Sequence, residues 1–152
     1  MSVAIALHVI AVVIWVGGMF FAYMCLRPVA AARLEPPQRL TLWQGVFAHF
    51  FPWVWACVAL ILGSGYWVIF MQYGGMAGTP LFIHVMQGLG LVMMAVFAHV
   101  FFAPYRRLRQ AVAGQRWPDG GKALNQIRLL VGINLVLGLI TVTVATAGRY
   151  LL

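Results

Sequence analysis

Four histidines, His8, His49, His84 and His99, stand in stretches whose other side chains suit lipid. The first is set in "ALHVIAVVIWVGGMFF" (6–21), about two turns from the start of an apolar run. An imidazole in the bilayer core carries a polar group that lipid does not hydrate, so each is a candidate functional group. Two neutral imidazoles from facing helices, in an apolar slot without carboxylates, suit haem iron, which takes two axial nitrogens. The same nitrogens beside thioether sulfur suit copper. Met71, Met76 and Met86 lie near His84 in the sequence. Zinc fits less well because no closed four-ligand set is visible, and magnesium or calcium lacks oxygen ligands within the apolar runs.

Such donors need elements that bring them to a common level. The chain has 152 residues, 64% hydrophobic and 8% charged, against roughly 25% charged in a soluble domain. Runs near 3–26, 43–71, 81–103 and 129–148 are each long enough to cross a bilayer, which takes about 20 helical residues. The expected fold is an all-α, up-down antiparallel bundle of four transmembrane helices, one membrane domain over 1–152. The N-terminal run lacks a basic start and continues to Leu26, so it reads as a retained span rather than a cleaved signal. Nine of the ten cations fall in the connections 27–39 and 106–128, and Arg149 stands apart. The positive-inside rule then assigns those connections to the cytoplasm and both termini to the outer, periplasmic side. The basicity of +8 is an orientation signal and not a nucleic-acid footprint.

Depth sorts the histidines into two layers. His8 lies roughly 7–8 Å inside the outer end of its span and His84 roughly 4–5 Å, at 1.5 Å per residue. His49 and His99 share the inner layer, close enough to the interface to reach headgroups or water. His84 and His99 are separated by roughly 22 Å of rise and about 60° of rotation, so both would look into the bundle. Small residues on that face, Gly88, Ala95 and Ala98 beside Leu91, would leave room for something flat. On the first span the same face as His8 carries Val12, Trp15 and Met19.

Other chemistry lacks its parts. No acidic residue lies in a span, and Glu35 and Asp119 build no acid–base pair, nucleophile triad or phosphate loop. Cys25 and Cys57 read as small packing residues. Pro52 would kink span two, and "LGSGYW" (62–67) would let a neighbouring helix approach closely. "WPDGG" (117–121) reads as a turn leading into span four, and Thr141, Thr143 and Thr146 as hydroxyls bonded to their own helix.

"LHVIAVVIWVGGMFF" (7–21), "GSGYW" (63–67), "LGLVMMAVFAHVFFAPYRRLRQAV" (89–112) and "RLLVGINLVLGLITVTVATAGRYL" (128–151) resemble the CopD-like family of small four-span bacterial inner-membrane proteins. A wider relationship links that family to the HemJ-type protoporphyrinogen oxidases, which bind b-type haem. "FIHVMQGLGLV" (82–92) is similar to their third-span His-Val-Lys segment; His84 matches, and Met86 occupies the lysine position. The resemblance implies a multi-pass protein of the bacterial inner membrane with one of two roles. In the first, a haem-dependent membrane oxidoreductase or electron carrier, His8 and His84 hold one haem b and His49 and His99 a second. Arg149 outside, and Arg39, Arg106 or Arg107 inside, would then pair with propionates, and a quinone or a redox protein would exchange electrons. In the second, a copper protein of transport or tolerance, His8, His84, Met76 and Met86 take the metal. The expected partners are the bilayer and a second copy of the chain, with no nucleic acid.

Overall fold

The computed structural model describes residues 1–151. Helix α1 (Ser2–Phe20) runs through a π-helical turn, Phe21–Leu26, into α2 (Arg27–Arg33). Helices α3 (Pro36–Tyr73), α4 (Leu81–Phe102), α5 (Pro104–Ala113) and α6 (Trp117–Leu151) follow, with a 3-10 turn at Met76–Gly78. Four helical rods, 2–33, 36–73, 81–113 and 117–151, are long and apolar enough to cross a membrane. Helix α1 packs chiefly along α3 and α4 along α6, and α5 folds onto α6.

The first rod outlasts the apolar run because Pro28 does not end it. Proline has no N–H to donate and its ring crowds the preceding turn, which breaks or widens the local hydrogen-bond pattern. Here the widened turn lets the Arg27 N–H reach the Ala22 carbonyl. In that register the Tyr23 carbonyl would await the N–H that Pro28 lacks, and the Arg27 Nε donates to it at 3.2 Å. The Arg27 guanidinium also sits 4.6 Å from the centre of the Tyr23 ring.

Helix α3 continues unbroken through Pro52 and ends at Gly74, whose φ of 69° is left-handed. The Gly75 N–H closes the cap on the Ile69 carbonyl at 3.2 Å. "WPDGG", expected as a turn, is instead the first turn and a half of α6. Pro118 and Asp119 suit a helix start, and Gly120 is buried where a Cβ would stand 3.1 Å from Leu40 Cδ1. The reversal lies just ahead, at Gly114–Arg116, with Gln115 at φ 54°.

The core runs from Ala11 and Val58 to the cation-bearing end. Ala11, Trp15, Val16 and Met19 of α1 face Phe47, Phe51, Val54 and Val58 of α3 and Met93, Phe97 and Val100 of α4. Aromatic rings lock the cation-bearing half: Phe47 stacks on Phe51 at 4.9 Å, and Phe51 meets Tyr105 edge-on at 4.9 Å. Helix α5 is amphipathic as its sequence suggests. It buries Tyr105, Leu108 and Ala111 and turns Arg106, Arg107 and Arg109 outward.

Candidate functional site

His8 lies on the buried stripe of α1, one turn before Ala11 and Val12, and is itself half-buried. Its Nδ1 stands 3.0 Å from Ser64 Oγ on α3. The Ser64 hydroxyl donates within its own helix to the Leu60 carbonyl, with the Ile61 carbonyl at 3.4 Å. A hydroxyl has one proton and two lone pairs. When the hydroxyl keeps that bond to its own helix, Ser64 Oγ accepts from the imidazole and Nδ1 carries the hydrogen. In the neutral ring Nε2 is then a free lone pair. Gly65 makes the approach possible: a Cβ there would stand 3.3 Å from His8 Cε1 and 3.6 Å from Nδ1. Gly63, two residues earlier, faces open space.

A second polar link sits at the same end. Gln87 Nε2 on α4 donates to the Tyr66 hydroxyl on α3 at 2.7 Å. Helix α3 therefore bonds α1 through Ser64 and α4 through Tyr66, two residues on. His84 is half-buried, one turn from Gln87. Met76 is 39% exposed in the 3-10 turn, and Met86 is half-buried on α4. Arg149, also at this end, lies over the Tyr150 ring at 5.3 Å.

The face of α4 expected to look inward does not. Gly88, Leu91, Ala95 and His99 are all exposed on the outside of the bundle, and nothing lies within 4 Å of a Cβ placed at Gly88 or Gly90. The buried stripe is Met93, Phe97 and Val100 instead. In lipid the choice falls to packing between helices, and Phe97 meets the rings of Trp15 and Trp55 edge-on. His49 is likewise exposed, its Nδ1 bonded to the Gly45 carbonyl of its own helix at 2.9 Å. His49 and His99 thus stand on the bundle surface at the cation-bearing end, where Arg106 is also exposed. Among the described residues, no three His, Cys, Asp or Glu side chains gather into a metal-holding group.

Two polar residues carry more of the interior than their sequence context suggested. Ser64 sits inside a small-residue segment that reads as a packing motif. Asn134 lies in an aliphatic run of α6, is 3% exposed, and donates Nδ2 to the Met93 carbonyl at 3.0 Å. Asn134 is the one carboxamide in the run 129–148, and that is its signal; Ser64 shares its run with His49 and Tyr66 and has none. The three threonines of α6 bond the carbonyls of Leu137, Leu139 and Val142, each four residues back, at 2.7–2.9 Å.

A bundle of lipid-length helices, apolar outside and tied inside by single polar contacts, defines a multi-pass membrane protein. The chain belongs to the CopD family: the family description, Copper resistance protein D, matches residues 44–147. That match covers the second to fourth rods and places the chain among copper-resistance-related membrane proteins. No curated protein and no solved structure matches it.

Proposed function

We propose that this protein handles copper as cargo at the end of the bundle that carries His8, and that His8 Nε2 is the first donor the ion meets. One observation carries the reading. The Nδ1 of His8 is engaged by Ser64, the arrangement by which metal-ligating histidines fix their tautomer and aim the other nitrogen. Membership in a family described by copper resistance supports copper as the metal. With no group of three strong ligands among the described residues, soft and polarizable donors have to complete the set. His84, Met76 and Met86 lie at the same end of the chain's rods. Thioether and imidazole donors together select Cu(I). The cation-rich connections at the opposite end support a cytoplasmic reading of that end by the positive-inside rule. On that orientation the copper end faces the periplasm of a bacterial inner membrane.

The purified protein in detergent, titrated with Cu(I) against a colorimetric chelator, tests this directly. One ion per chain is expected, with His8→Ala abolishing binding and His84→Ala or Met86→Leu weakening it. Equal copper retention by wild type and His8→Ala overturns the reading. So does a Soret band in the protein as isolated, since that replaces copper with haem b at the histidines.

A further inference from the structure

A cavity of about 260 Å³ lies in the cation-bearing half of the bundle, away from His8. All four rods line it. Its walls are aromatic and aliphatic, with Trp15, Phe47, Phe51 and Phe97 prominent. The single hydrogen-bonding side chain other than the Trp15 indole is Asn134. Asn134 Nδ2 donates to the Met93 carbonyl, while Asn134 Oδ1 is buried with no partner. The two amide ends are not interchangeable here, because the Met93 carbonyl can only accept. A residue of the cavity lining therefore carries an orphan acceptor at bilayer depth, where leaving it unmet is strongly unfavourable; the atom has almost no exposed surface, so a ligand meets it through a small shift of the amide.

Water does not resolve the mismatch, since a buried water is held by two to four polar partners and this lining offers one free acceptor. A metal ion does not either, because no imidazole, thiol or carboxylate lines the cavity. What remains is an apolar molecule with one donor. Access points to the same class. Phe21, part of the lining, is 59% exposed on the lipid side of the π-helical turn. At Gly18 the missing side chain leaves the space that the Phe50 ring occupies. Phe21 and Phe50 thus stand between the cavity and the outside of the bundle where the end of α1 meets α3.

The geometry points to a binding site for a bilayer-dissolved phenol: the ring lies among the aromatic walls, and the hydroxyl donates to Asn134 Oδ1. This site is separate from the copper end and needs no metal.

The test uses the whole protein in lipid nanodiscs and two probes of nearly equal shape, 4-tert-butylphenol and 4-tert-butylanisole, which lacks the donor. Binding is read by equilibrium titration of tryptophan fluorescence. The phenol should bind wild type about five- to tenfold more tightly than the anisole, the range expected of one added hydrogen bond. In Asn134→Leu the two probes should bind alike. Val131→Phe fills the cavity without touching the amide and should abolish binding of both. Equal binding of the two probes by wild type, binding of neither, or a preference that survives Asn134→Leu overturns the assignment. If Asn134→Leu does not fold, the wild-type preference and its loss in Val131→Phe decide the matter.

Discussion

Removing the Ser64 hydroxyl separates positioning of His8 from the presence of His8. In Ser64→Ala the imidazole keeps its place over Gly65 but loses the acceptor 3.0 Å from Nδ1. Two consequences follow. The tautomer with hydrogen on Nε2, which cannot ligate through that nitrogen, becomes populated, and the ring gains freedom about its χ angles. Loss of such an orienting partner weakens metal affinity about 10–100-fold. The crowding at Gly65, with 3.3 Å to a Cβ position, still restrains the ring, so the effect should fall at the low end. That is about tenfold, or about 1.4 kcal/mol. The fold should barely change, because an interhelical hydrogen bond in a membrane protein contributes only about 0.6 kcal/mol on average. Cu(I) competition titrations of wild type, Ser64→Ala and Ser64→Thr in the same detergent make the comparison, with circular dichroism melts as the control. Ser64→Thr keeps the hydroxyl and should restore most of the affinity. A Ser64→Ala protein that titrates like wild type would refute the tautomer reasoning, even if His8→Ala abolished binding.

Three further outcomes test the packing. Asn134→Leu gives up one bond to Met93, worth about 1 kcal/mol, and removes an orphan acceptor costing about 1–3 kcal/mol, so thermal unfolding should show equal or higher stability; a clear drop contradicts the accounting. Gly138→Ala puts a Cβ 2.9 Å from Val16 Cγ2 and 3.2 Å from Met93 Cε and should destabilise by about 1–3 kcal/mol. Gly63→Ala meets nothing within 4 Å and should be neutral or stabilising by about 0.5–1 kcal/mol; equal effects at the two glycines would sink the packing picture. A double-mutant cycle of Tyr66→Phe and Gln87→Leu should return a coupling of about 0.6 kcal/mol, and zero coupling would mean the bond is not formed in the membrane.

What could be read from residue order alone divides along a physical line. Span number came from apolar run length, and the inward stripe of α1 from the spacing of His8, Val12, Trp15 and Met19. Both depend only on rise and pitch. The rotation of α4 depends on which of two candidate faces packs better against its neighbours, a competition between Phe97 and Met93 on one side and Gly88 and Ala95 on the other. Small residues suggested a slot, but a slot needs a neighbouring helix, and the rod beside α4 lies along the Met93 face. The partner of His8 was out of reach for the same reason, since depth places a side chain at a level without saying whom it faces. "WPDGG" looked like a turn by composition. The burial of Gly120 against Leu40 and Ala111 is a tertiary fact that no local pattern carries.

The wide turn at Phe21–Leu26 has a consequence for how this rod keeps count. A helical position advances by about 100° per residue, and the π turn takes up the equivalent of one additional residue. Everything beyond it is dialled round relative to α1, including Ala30, which is 2% exposed. Deleting a single residue from 21–26 would remove that additional residue, return the segment to ordinary pitch and leave Ala30 on its seat, whereas the same deletion inside α1 would turn the side chains before it by about 100° against those after it. The wide turn is thus the one place in the first rod where the chain can lose a residue without losing its register, with Pro28 holding it open.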